Sequence, residues 1–155
     1  VVAIVNQQLS VESAAAIRER LFDRVDVTPE GIRDADESTL RDVGLSGQKI
    51  EYVRNVADAF EAHDLTREGL AEKSDAEVID LLTEIRGVGA WTGKMYLIFV
   101  LGRPDVFPIE DLGIRKAMTE LYGYDDADRG AMVDHAERWR PYRSYASRYL
   151  WHVVD

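Results

Sequence analysis

Residues 81–116 read LLTEIRGVGAWTGKMYLIFVLGRPDVFPIEDLGIRK. Leu81, Leu82 and Ile85 have helical spacing before the turn Gly87-Val88-Gly89, and Trp91, Met95, Ile98 and Phe99 repeat it afterwards. The pattern predicts two helices joined by a glycine hairpin over 81–93, each burying one face. The second helix stops at Gly102-Arg103-Pro104-Asp105, and Pro108 and the acids Glu110 and Asp111 follow. The hairpin glycines permit positive φ and close approach by another backbone. A glycine turn that opens a helix also leaves amides, here around Gly89 and Ala90, unpaired at the positive end of the helix dipole, which suits an anion such as phosphate. A plain connection between two helices needs the same residues, and G-x-G alone favours that plainer reading.

The flanking sequence is helical throughout. VVAIVNQQLSVESAAAIRERLF reads as two helices broken near Leu9-Ser10, with Ser10 as cap. Thr28-Pro29-Glu30 is a helix start, a short helix ends at Gly44, and a longer one runs from about Ser46 with Ile50, Val53, Val56, Ala57 and Phe60 on one face. Ser74 and Glu77 form a capping-box pattern before the first hairpin helix. Asp111 stands where it would cap LGIRKAMTELYGY, which Gly123 stops, and Asp125 or Asp126 would cap the helix in DADRGAMVDHAERW. Pro141 precedes the last helix, YRSYASRYLWHVV. No strand-like alternation persists, so the expected fold is all-α with about ten helices.

A chain of 155 residues suits one domain, 1–155. With no cysteine it forms neither a disulfide nor a cysteine-ligated cluster, and His63, His135 and His152 are scattered. No apolar run has transmembrane length and no leader pattern is present, so a cytoplasmic protein with no membrane association is expected. The net charge of −10 opposes simple attraction to a polyanion. Its distribution is uneven: residues 1–80 carry nine Lys and Arg against eighteen acids, and residues 81–155 ten against eleven. Four lysines against fifteen arginines on an acidic chain fit a halophilic prokaryote, or simply an acidic surface.

The hairpin IRGVGAWTG, the loop LGRPDVFP and the acid in PIEDLGI together resemble the signature of the helix-hairpin-helix Gly/Pro-Asp (HhH-GPD) DNA glycosylase superfamily. QQLS near the start, LSGQK and ERWRPYRSYA resemble the DNA-3-methyladenine glycosylase II, alkylation-repair branch. The resemblance implies two lobes with the active-site cleft between them: a helical barrel over about 10–110, and a second lobe over about 111–155 joined by the first helix. It also implies more protein before Val1.

By the same resemblance, a monomer acts on double-stranded DNA containing a damaged base. It excises alkylated purines of the 3-methyladenine and 7-methylguanine type in base excision repair. The alternatives are a glycosylase for a deaminated or oxidised base and a non-catalytic module that binds damaged DNA. Members that also cut the backbone place a lysine two residues after the second hairpin glycine, where a Schiff base needs an amine. Trp91 stands there, which implies a monofunctional enzyme without lyase activity.

The resemblance assigns catalysis to Asp111, with Glu110 and Asp105 as competing acids. A carboxylate about 3–4 Å from the sugar C1′ would stabilise the positive charge that develops as the base leaves; a helix cap is the competing role. Trp91, Met95, Leu112 and Trp151 fall where relatives line the base pocket, although Met95 and Leu112 depart from the aromatic residues found there, and either tryptophan would also suit a core. Gly87, Val88, Gly89, Ala90, Thr92, Lys94 and Arg143 are the expected DNA contacts, with Gln8 or Leu9 as wedge into the gap left by the extruded nucleotide. Gln7-Gln8 also reads as a helix-breaking polar pair. Lys94 and Lys49 are phosphate contacts or solvated lysines. No cofactor or divalent metal is implied; in relatives the carbonyls near Gly87 and Gly89 hold a monovalent cation.

Overall fold

Helix starts in this chain are set largely by side-chain caps. The computed structural model describes residues 1–7 and 9–155. Among them are ten α-helices and no strand. The first five are α1 (Val2–Asn6), α2 (Val11–Arg24), α3 (Pro29–Asp34), α4 (Glu37–Asp42) and α5 (Gly47–Ala62). The hydroxyls of Ser10, Thr28 and Ser46 accept from the amides of Ser13, Gly31 and Lys49 at 3.2, 3.0 and 3.2 Å. Each cap satisfies one of the four amides that a helix start leaves unpaired. α6 (Asp75–Thr83) opens with a reciprocal box: Ser74 Oγ accepts from Glu77 N, and Glu77 Oε1 from Ser74 N.

After the hairpin come α7 (Ala90–Met95), a π-helical segment Tyr96–Val100, α8 (Leu112–Tyr122), α9 (Arg129–Ala136), a 3₁₀ turn Glu137–Trp139 and α10 (Arg143–Val154). Gly123, at φ +74, ends α8 in the left-handed region. The cap of α9 is Asp128 rather than Asp125 or Asp126. Asp125 instead accepts from Ala127 N within the preceding turn, and Asp126 pairs with Arg115 at 2.9 Å. No described helix is long and apolar enough to cross a membrane.

The π segment corrects the expected face of the second hairpin helix. Leu101 N donates to Tyr96 O, five residues back, at 3.0 Å. That wider turn adds a residue and rotates the side chains beyond it by roughly 100°. Ile98 is buried as its spacing predicts, and Leu97 with it, whereas Phe99, expected on the same face, is 56% exposed.

The chain packs as two compact units, Val1–Lys73 with Asp80–Gly89, and Ser74–Ile79 with Ala90–Asp155. This differs from a division into 10–110 and 111–155 with the first helix. Ile4 and Val5 of α1 belong to the core of the first unit, with Leu21, Ile32, Leu40, Val43, Ile50 and Val53. α5 is the central helix there: Ile50, Val53 and Ala57 form its buried stripe, and α1, α3 and α4 pack on it. Lys49, on the same helix, neither stands in solvent nor waits for a phosphate. Its Nζ donates to Val5 O at 2.8 Å and Gln7 O at 2.6 Å, closing the carboxyl end of α1, and burial lowers its pKa.

In the second unit α8 packs on α10 around Phe107, Ile114, Ala117, Met118, Met132, Ala136 and Leu150. The LGRPD loop is pinned to the start of α10. Ser144 Oγ donates to Arg103 O at 2.6 Å and accepts from Val106 N at 2.9 Å, while Ser144 N donates to Pro104 O at 2.9 Å.

Only one of the two hairpin glycines needs its lack of a side chain for the fold. Gly87 has φ +101, and a Cβ there would stand 2.3 Å from Tyr52 Cγ; Gly89 has no heavy atom within 4 Å of that position. Gly87→Ala should therefore lower stability by about 1–3 kcal/mol from backbone strain alone, and Gly89→Ala should leave it nearly unchanged, as read from urea unfolding midpoints.

Candidate functional site

Two constellations carry the residues singled out by sequence, one in each unit. In the first unit, three side chains hold the hairpin. Gln7 Nε2 donates to Gly87 O at 3.2 Å, Asn55 Nδ2 donates to Arg86 O at 3.2 Å, and the Tyr52 ring fills the space beneath Gly87. Arg86 also pairs with Glu51 at 3.4 Å. Val88 is buried, and its amide donates to Ile85 O at 3.0 Å, so this amide closes the turn rather than reaching outward. Gly89 is exposed. Leu9 is 40% exposed, and Gln8 lies outside the described residues. Gln7, not singled out as a site residue, is thus the member of the polar pair whose role is visible.

The second constellation is centred on Asp111, the N-cap of α8. Asp111 Oδ1 accepts from Trp91 Nε1 at 2.8 Å; Oδ2 accepts from Trp151 Nε1 at 2.8 Å and from the Ile114 amide at 3.0 Å. Trp91 comes from α7 and Trp151 from α10, so three helices converge on one half-buried carboxyl group. Indole and backbone N–H groups only donate, which suits a carboxylate and fixes its plane. Capping and holding an oriented anion are therefore compatible: Oδ2 serves both, while Oδ1 has a single partner. Gly113 leaves room for this arrangement, because a Cβ there would stand 3.1 Å from both Asp111 Oδ2 and Trp151 Cδ1. Trp91 and Trp151 are half-buried, and Leu112 is 53% exposed beside Asp111. Met95 and Thr92 are half-buried on α7, and Ala90 begins that helix.

The competing acids are committed elsewhere. Glu110 Oε1 pairs with Lys94 Nζ at 2.8 Å, and Lys94 donates to Phe107 O at 3.2 Å. Lys94 thereby joins α7 to the loop before Asp111 rather than standing free for phosphate. Asp105 accepts from Arg143 Nε at 2.8 Å and from Arg140 at 3.2 Å. Arg143, expected on DNA, lies largely buried against Asp105 and donates to its carbonyl as well, so it clamps the loop. Hydrogen bonding from Arg143, ahead of the opposing effect of burial, holds the Asp105 pKa below its ordinary value. Gly113 was not among the residues marked by sequence; the glycine two positions after the acid in EDLGI was the available signal.

An all-helical chain with a braced glycine hairpin, a Pro-Asp loop and a donor-held aspartate at the following helix start has the architecture of a helix-hairpin-helix protein. Residues 1–141 match the HhH-GPD superfamily of base excision DNA repair proteins, and the chain belongs to that family. It is 37% identical to DNA-3-methyladenine glycosylase 1 of Schizosaccharomyces pombe, over 96% of this chain and 68% of that one. It is 33% identical to the Bacillus subtilis protein YfjP, provisionally named a DNA-3-methyladenine glycosylase, over 98% of this chain and 56% of that one. The chain thus spans between about half and two thirds of these curated relatives. Among solved structures it resembles the S. pombe 3-methyladenine DNA glycosylase Mag1 in complex with abasic DNA, at 36% identity and a TM-score of 0.89, covering 97% of this chain and 76% of that one.

The Asp105 pairing makes a pH prediction. Because the folded pKa is depressed, its contribution to stability is present above the unfolded carboxylate value, about 3.9, and is lost as pH falls through the folded value. Asp105→Asn should be less stable than wild type near neutrality, and the gap between their urea midpoints should close from about pH 5 downward.

Proposed function

We propose that this protein is a monofunctional DNA glycosylase that hydrolyses the N-glycosidic bond of alkylated purines of the 3-methyladenine and 7-methylguanine type. The observation that carries the reading is the Asp111 carboxylate, oriented by two indole N–H groups and a helix-start amide. The names of the relatives support the substrate class, and Trp91 in place of a lysine supports base release without backbone cutting.

In the proposed reaction an extruded nucleotide presents its sugar to Asp111. Extrusion costs a few kcal/mol, less for a poorly paired lesion. The C1′–N bond breaks with both electrons going to the base, so a cationic alkylpurine leaves neutral. Positive charge gathers on the sugar beside Asp111, and its fixed orientation means that little reorganisation is needed when that charge appears. Water adds to C1′ and loses a proton, leaving an abasic site. Trp91, Met95, Leu112 and Trp151 line the base pocket, where indole faces suit a cationic base.

For DNA binding, the amides at Gly89 and Ala90 and the Thr92 side chain face a backbone phosphate in this proposal, with Leu9 or Gln8 as the wedge. A monovalent cation at the hairpin is compatible with Gly87 O, which accepts one bond from Gln7 and keeps a second lone pair; base release is not routed through it. The partner is a damaged duplex, met by a monomer. The acidic, lysine-poor composition supports a salt-adapted host, in which case the urea midpoint should rise as KCl is added.

Incubation with methylated DNA should release 3-methyladenine and 7-methylguanine, identified by mass. Asp111→Asn should slow release by about 10²–10³-fold with duplex binding retained. Release of only deaminated or oxidised bases would assign a different lesion. No release by either form, with equal binding to lesion DNA, would leave a binding module. Gly89→Val, in open space, should weaken binding to every sequence alike without loss of fold.

A further inference from the structure

Phe99 is a large aromatic that stands outside the core, yet its ring has two close neighbours. It stacks on Trp151, with ring centroids 5.6 Å apart and planes inclined by 27°. The Arg148 guanidinium carbon lies over the ring, 5.3 Å from its centroid. Arg148 and Trp151 are three residues apart on α10, hence neighbours on its surface, and Phe99 reaches both from the π segment. Trp151 is then confined from two directions, by Phe99 against its ring and by Gly113 at its Cδ1–Nε1 edge. Its N–H points to Asp111 Oδ2.

We propose that Phe99, in contact with Arg148 and Trp151, is a positioning residue for base excision: it fixes the Trp151 indole and, through that indole, the plane of the Asp111 carboxylate. This rests on the glycosylase reading. Because its ring stacks on the indole that donates to Asp111, Phe99 acts through Trp151 and not as a pocket wall. A 56%-exposed phenylalanine also contributes little to the core, so its removal should leave the fold intact.

The test combines kinetics with the indole N–H resonances of ¹⁵N-labelled protein, assigned through single Trp→Phe variants. In Phe99→Ala, kcat on methylated DNA should fall about three- to tenfold, the equivalent of one lost ring stack. KM and the ratio of the two released bases should stay unchanged, and the Trp151 N–H resonance should move upfield or broaden as its bond to the carboxylate loosens. Phe99→Tyr should restore both readouts and Phe99→Leu neither. An unmoved Trp151 resonance in Phe99→Ala would overturn the proposal. So would a raised KM or altered base ratio, which would make Phe99 a direct contact to the lesion. Were the wild type to release no base, the glycosylase reading would fail by itself, and the resonance would still decide whether Phe99 holds the indole.

Discussion

The bond on which the second unit depends is between a carboxylate and two indoles. An aspartate at a helix start ordinarily satisfies one or two backbone amides and leaves its remaining lone pairs to water. At Asp111, two tryptophans from helices far apart in sequence supply further donors, so α7, α8 and α10 are tied at one point. A hydrogen bond to a charged group contributes about 1.5–3 kcal/mol, enough for each indole to select one carboxylate orientation over its alternatives. The LGRPD loop, fastened by Ser144 and Arg143, and the Lys94–Glu110 pair secure the chain leading into Asp111. The cation charges near this centre are thus largely spent within the protein.

The first unit solves a different problem, the support of a backbone turn. A glycine hairpin has little side-chain substance with which to hold its own shape. Here α5 supplies Tyr52 and Asn55, and the stretch after α1 supplies Gln7, whose own carbonyl is held by Lys49. The hairpin is consequently set by packing from α1 and α5, and of its two glycines the fold requires only Gly87. The open surroundings of Gly89 are what close approach by another backbone requires.

What could be read from the sequence divides along the same physical lines. Caps are local: Ser10, Thr28, Ser74 and Asp111 each act within three residues, so their roles were visible in advance. That Asp128 caps α9, in place of Asp125 or Asp126, was not visible, because Arg115 draws away Asp126 through a contact that no local pattern encodes. Lys49, Lys94 and Arg143 all read as surface cations and all are internal, since a long side chain finds its partner only when the fold is made. The π turn escaped for the opposite reason, being a departure from the periodicity on which the reading relied. Asp111, Trp91 and Trp151 were legible as a set through resemblance, but their mutual bonding was not.

The wide turn at Tyr96–Val100 also bears on how this chain can change length over evolutionary time. Excising one residue from it would restore ordinary helical winding in the last turn, pulling the ring of Phe99 off Trp151 and the loop that follows away from Ser144. At the wide turn, gain or loss of a codon would shift the LGRPD loop against α10, so that segment should keep its length even where its residues drift.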